Sequence, residues 1–127
     1  MKYPYEPKSN KKLEAGEFWP IQLSNNQYAC GVVLGIPNKE KNRVVFIAGL
    51  TNWINSEEPN EYNLNDKKIR IEKLGKAHIK TITSRGEKIR GKVRLDLIEN
   101  YKLEEQDSLN TWGYNFINLL AEDLQNN

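Results

Sequence analysis

Residues 16–50 decide the fold of this chain, and in order they read GEFWPIQL, SNNQ, YACGVVLGI, PNKEKN and RVVFIAGL. Three apolar runs separated by two polar, turn-forming segments predict a β-meander. In the middle run the even-numbered side chains from Tyr28 to Ile36 share one face, and the other face carries Ala29, Gly31, Val33 and Gly35. Small residues let a second layer approach closely, and glycines allow the bends that curl a sheet. The stretch therefore predicts the wall of a small curved sheet or barrel.

The length and composition predict one domain spanning residues 1–127, with residues 1–12 as an extended polar arm. Cys30 is the only cysteine, so no internal disulfide can form and an oxidising compartment is not required. The first fifteen residues contain no apolar segment of signal-peptide length, and no stretch approaches the length of a membrane span. We therefore expect a cytoplasmic protein with no membrane partner.

The net charge of +2 hides a strong asymmetry along the chain. Residues 1–66 carry seven basic and eight acidic side chains, residues 67–94 carry eleven and two, and residues 95–127 carry one and seven. Segregated charge produces a local field that steers partners even when the total is small. The alternative is that the basic and acidic segments lie side by side and neutralise each other.

The remaining pattern completes a mainly β fold of the α+β class. A fourth strand is predicted around Ile69 and Ile71 with a break at Gly75, a fifth over residues 77–83, and a sixth over residues 88–95. Apolar residues at helical spacing predict a C-terminal helix from Asp107 to Gln125. We expect a strongly bent antiparallel sheet of five or six strands with this helix packed on it; closure into an SH3-like barrel is left open.

No catalytic set is evident in the sequence. His78, the only histidine, lies between Lys76 and Lys80 without a carboxylate to orient it, and Cys30 alternates with apolar residues as a buried thiol does. No ligand spacing indicates a metal, and no glycine-rich loop precedes a helix as a phosphate site requires. We therefore expect no enzymatic activity, no cofactor and no metal.

The candidates for partner binding are one tryptophan and a set of cations. Trp53 lies in a polar turn, where an exposed aromatic side chain would anchor a partner. Alternation places Lys88, Arg90, Lys92 and Arg94, here named the basic row, on one face of the sixth strand. The other candidate cations are Arg70, Lys73, Lys80 and Arg85. Such a surface fits nucleic-acid phosphates or an acidic protein, and it is equally typical of a solvated outer face.

Part of the chain resembles a known family. The segment from Lys12 to Leu23, with Gly16-Glu17 before an apolar strand containing Pro20, is followed by Gly31-Val32-Val33-Leu34. This order is similar to the N-terminal signature of immunity protein 26, a family of bacterial polymorphic toxin systems. The match covers about the first fifty residues, and the segments at 76–80 and 89–91 are compatible with it.

The resemblance implies a cytoplasmic, mostly β protein without enzymatic activity that binds and neutralises a cognate toxin by occlusion. It supplies no binding residues, so the contact surface rests on this sequence alone. The alternative function is a small nucleic-acid-binding barrel that uses the basic block at 67–94, since eleven cations there would attract phosphates.

Overall fold

The meander predicted from the sequence forms the centre of a five-stranded sheet. The computed structural model describes residues 3–37, 42–65, 68–101 and 109–126. Its strands are β1 (Glu17–Gln22), β2 (Tyr28–Gly35), β3 (Val45–Asn55), β4 (Ile71–His78) and β5 (Gly91–Lys92). They lie in the order β4-β3-β2-β1-β5, and every neighbouring pair is antiparallel. The mainly β class and the antiparallel sheet are confirmed, but the sheet is open and forms no barrel.

Four short elements join the sheet. The helices are α1 (Lys80–Thr83) and α2 (Phe116–Gln125), and two 3-10 turns span Asn10–Lys12 and Leu95–Leu97. Helix α2 packs on β3 and β1. The C-terminal helix on the sheet is therefore as predicted, although it begins later than expected.

The central strands are buried on both faces. Ala29 and Val33 of β2 join the core beneath α2, whereas Cys30, Val32 and Leu34 join a second core on the opposite face. On the small-residue face, the indole of Trp19 from the neighbouring strand β1 covers Gly31 and lies where a Cβ on Gly31 would stand. This close contact fixes β1 against β2 beneath the helix.

Gly31→Ala is expected to lower the free energy of unfolding by about 1–3 kcal/mol, since the added methyl would overlap the buried Trp19 ring. Gly113→Ala is the matched control, because nothing lies within 4 Å of a Cβ at that position, and it should change stability by less than about 1 kcal/mol. Urea unfolding measures both changes. Equal stability of the two variants would contradict the packing described here.

The predicted strand break at Gly75 is wrong. Strand β4 runs through Gly75 from Ile71 to His78, because the glycine makes room for the indole of Trp112 rather than ending the strand. The predicted fifth strand then becomes a helical turn: the N–H of Ile82 donates to the carbonyl of Ile79, and both side chains are buried. After His78, buried side chains are therefore one helical turn apart, as in Ile79 and Ile82, and do not alternate as they would in a strand.

The C-terminal helix is shorter than its apolar spacing predicts. Residues 109–115 approach α2 as an extended segment, in which Asn110 and Trp112 exchange backbone hydrogen bonds with Lys76 of β4. Within α2, Ile117 and Ala121 are buried in the core. The predicted start near residue 107 lies outside the described residues.

The N-terminal segment packs against the sheet instead of extending from it. Tyr5 forms a two-way backbone bridge with Ile89. The buried amide of Asn10 donates to the carbonyls of Asn42 (2.8 Å) and Val45 (2.7 Å). These contacts satisfy backbone carbonyls at the start of β3, so residues 3–12 belong to the folded body.

Candidate binding surface

The basic row is largely neutralised by carboxylates. Arg90 pairs with Glu58 at 3.3 Å, and Lys92 pairs with Glu14 at 3.0 Å. Arg94 pairs with Asp96 at 2.6 Å, and Lys88 is exposed. Alternation holds, since Ile89 and Gly91 are buried between these cations, but regular pairing extends over Gly91–Lys92 alone. Because most of these charges have partners, the local positive field is weaker than the sequence indicates.

The other predicted cations lie in separate places. Arg70 pairs with Glu72 at 3.6 Å, and Lys73 is exposed on β4. Lys80 of α1 lies with its Nζ 5.7 Å from the centre of the Tyr114 ring, a cation–π distance. Arg85 lines a cleft beside α2. The structure therefore brings Lys80 and Arg85 to the α2 side and leaves the basic row around β5.

Trp53 is not an exposed anchor. It is only 2% exposed and packs in the second core with Leu64 and Ile69. The prediction of exposure is wrong because β3 continues to Asn55, which puts Trp53 inside a strand rather than in a turn. Its indole face is not available to a partner.

One cleft, here named the α2 cleft, lies between β1, α1 with its following turn, and α2. It encloses about 560 Å³. Trp19 and Ile21 contribute apolar wall, and Thr81 and Arg85 come from the turn. Clefts of this volume with a few polar groups are typical of binding sites. Here the cleft runs along α2, and the buried residues of this helix hold it on the sheet.

The carboxylates in the cleft wall already have partners. Glu122 Oε1 accepts the backbone N–H of Ser24 at 2.9 Å, and hydrogen bonding to the side chain and then to the backbone of Ser24 lowers the pKa of the Glu122 carboxyl. Glu87 accepts a hydrogen bond from Arg90 at 3.4 Å, while burial raises the pKa of its carboxyl. Both acceptors are thus engaged within the chain.

The hydroxyl of Thr81 is different, because it has no hydrogen-bond partner. Thr81 is 2% exposed, and its Oγ1 is buried without a donor or acceptor in the described part of the chain. Buried polar groups are nearly always hydrogen-bonded in native proteins, so an exception that lines a cleft is a group that a water molecule or a ligand atom there would satisfy.

Three large apolar side chains next to the cleft remain exposed. Tyr114 is 45% exposed, Phe116 42% and Leu119 56%, and Leu119 also lines the cleft. We name these three residues the apolar ridge. Tyr114 lies 5.1 Å from the ring centre of His78 as well as near Lys80. Tyrosine is among the residue types that are enriched in protein-binding hot spots.

The two reactive side chains considered from the sequence lie in different surroundings. His78 Nδ1 accepts the backbone N–H of Lys80 at 3.0 Å, and partial burial together with the Lys80 charge lowers the pKa of the imidazole. Cys30 is fully buried in the second core, which raises the pKa of its thiol. Among the described residues, no group of three or more metal-ligating side chains comes together.

A buried carboxylate was missed by the sequence analysis. Glu17 is fully buried on β1 and accepts hydrogen bonds from Tyr3 (3.0 Å), Tyr5 (2.7 Å) and the backbone N–H of Glu14 (2.7 Å). The only signal was an acidic residue at the start of an apolar strand. This cluster ties the N-terminal segment to the sheet.

Alkaline pH is expected to weaken this cluster. Burial, followed by the hydrogen bond to Glu17, raises the pKa of both Tyr3 and Tyr5 above their ordinary value of 10.0. Since the folded state favours the neutral phenols, their contribution to stability is complete below pH 10 and is lost as the pH rises further. NMR titration of the tyrosine ring carbons should show both residues ionising above pH 10. Ionisation of both at pH 10 in the folded protein would contradict the cluster.

No helix within residues 3–37, 42–65, 68–101 and 109–126 has the length and apolar character to cross a membrane.

Comparison with known proteins leaves the family open. No protein-family model, no curated protein and no solved structure matches this chain.

Proposed function

We propose that this chain is an immunity protein that binds a cognate bacterial toxin in the cytoplasm of the producing cell and neutralises it by stoichiometric occlusion. Two features support the proposal. The first is the resemblance of the segment from Gly16 to Leu34 to the immunity protein 26 signature. The second is the apolar ridge beside the α2 cleft, which has the composition of a protein contact surface.

The apolar ridge is the observation that carries the proposal. A folded protein usually buries side chains of this size or scatters them singly, whereas here three follow one another across the start of α2. Helix α2 is anchored by Ile117 and Ala121, so the ridge is presented on a fixed element. A fixed surface binds without an ordering cost and can cover the active site of a partner without any chemical step.

The proposal is tested by co-expression with the toxin encoded beside the gene. We expect the chain to protect a sensitive bacterial host and to co-purify with the toxin at a ratio of one to one. A catalytically inactive toxin serves as the control for binding without toxicity. Failure both to protect and to form a complex would overturn the proposal.

The proposal carries an expectation about nucleic acids. Because Arg90, Lys92 and Arg94 are paired with carboxylates, we expect no measurable affinity for single- or double-stranded oligonucleotides at about 0.15 M salt. Fluorescence anisotropy over a salt series measures this. Tight binding that weakens steeply with salt, and that is lost on charge reversal of Arg90 and Lys92, would instead favour the nucleic-acid alternative.

A further inference from the structure

Among the described residues, the α2 cleft contains polar groups with and without partners. Glu122 and Glu87 receive hydrogen bonds from Ser24 and Arg90. In contrast, the Thr81 hydroxyl is buried and unpaired. Within the described residues, Arg85 forms no ion pair within 4.0 Å. The cleft therefore contains a guanidinium without an ion pair and a hydroxyl without a hydrogen bond among the described residues.

The two donors belong to one short segment. Thr81 lies in α1, and Arg85 follows it by four residues in a chain that keeps turning, since the N–H of Ser84 donates to Lys80 and that of Gly86 to Thr83. Both line the same cleft. The segment therefore presents a cation and a neutral donor to one space.

We infer that the cleft receives the carboxylate of an aspartate or glutamate side chain from a partner protein, with Arg85 pairing with its charge and the Thr81 hydroxyl donating a hydrogen bond. A planar carboxylate matches the paired donors of a guanidinium. The identity of the partner as a toxin rests on the proposed function; the chemistry of the cleft does not.

The surroundings favour a side-chain carboxylate over a phosphate. The walls include Glu87 and Glu122, which would repel a doubly charged phosphate more strongly than a singly charged carboxylate. The adjoining ridge residue Leu119 would pack against the partner around the entry point.

The test is an NMR titration of the isotope-labelled full chain with the tripeptide amide acetyl-Gly-Glu-Gly-NH₂ as probe. We expect saturable shifts for Thr81 and for the Arg85 side-chain Nε–H, and at least tenfold weaker binding of the Gln analogue of the probe. Arg85→Gln should weaken binding of the Glu probe at least tenfold, and Thr81→Val by about three- to tenfold. Arg70→Gln removes a cation outside the cleft and should leave the affinity unchanged.

Thr81→Val is expected to stay folded, because the hydroxyl that it removes has no partner among the residues that the structure describes. If it does not fold, Arg85→Gln alone decides, since Arg85 is exposed. Equal affinity for the Glu and Gln probes, no loss in Arg85→Gln, or tighter binding of a ten-nucleotide oligothymidylate than of the Glu probe would overturn the inference.

The same variants separate this inference from the proposed function. A toxin complex that keeps full affinity with Arg85→Gln would overturn the role of the cleft and leave the inhibitor intact. Saturable binding of the Glu probe by a chain that gives no protection would reject the immunity function and retain the carboxylate site.

Discussion

Glu17→Ala is expected to lower the free energy of unfolding by about 3–5 kcal/mol, the largest effect of any single polar substitution considered for this chain. The carboxylate is fully buried and accepts hydrogen bonds from Tyr3, Tyr5 and the backbone N–H of Glu14. Its removal takes away the acceptor of Tyr3 and of the Glu14 N–H, leaves Tyr5 with only a 3.4 Å hydrogen bond to the carbonyl of Lys12, and opens a cavity on β1. Each orphaned buried donor costs about 1–3 kcal/mol, so the losses accumulate.

Two variants separate the hydrogen bonds from the volume of the side chain. Glu17→Gln keeps a carbonyl oxygen of nearly the same shape and should cost less than half as much as Glu17→Ala. Tyr5→Phe removes the 2.7 Å hydrogen bond to Glu17 together with a 3.4 Å hydrogen bond to the carbonyl of Lys12, with an expected cost of about 1.5–3 kcal/mol. Urea unfolding at pH 7 measures all three. A cost below about 1 kcal/mol for Glu17→Ala would show that the cluster does not hold the N-terminal segment.

The double variant Phe116→Ser, Leu119→Ser is expected to weaken toxin binding at least a hundredfold while the fold persists. Hot-spot side chains contribute about 2–4 kcal/mol each when truncated, and about 1.4 kcal/mol corresponds to a factor of ten in affinity. Both side chains are exposed in the free protein, so their loss removes little from the core. Affinity should fall mainly through faster dissociation.

Tyr62→Ser is the matched control for this double variant. Tyr62 is 86% exposed, yet it does not line the α2 cleft. Surface plasmon resonance against immobilised inactive toxin measures both proteins, and circular dichroism confirms that both are folded. Loss of binding in Tyr62→Ser with full binding by the double variant would place the interface elsewhere.

The meander was predictable because its signals are local. Alternation and turn residues between Gly16 and Leu50 determine three strands without reference to distant residues. Gly75 shows the limit of such signals. The local sequence is the same for a glycine that breaks a strand and for a glycine that makes room for Trp112. The role of Gly75 depends on whether the segment 109–115 packs beside it, and tertiary packing rather than local sequence decides this.

The candidate site was less predictable, for the same reason. The alternating cations of the basic row were visible in the sequence, but Glu58 lies 32 residues from Arg90 and Glu14 lies 78 residues from Lys92. Trp53 lies inside β3 rather than in a turn because the last residues of the strand, Ile54 and Asn55, pair with the start of β2. This pairing joins distant parts of the chain, so the local sequence around Trp53 does not indicate it. The α2 cleft is formed by β1, α1 and α2. These elements are far apart in the sequence, and no local pattern indicates that they meet.

Titration of toxin activity with the purified chain tests the central claim most directly, namely that this protein acts by holding a partner protein. The expected result is a fall in activity to zero at one molar equivalent, with a sharp end point, when the toxin concentration lies well above the dissociation constant. Undiminished toxin activity at about ten equivalents, with no complex detected at micromolar concentrations, would contradict it.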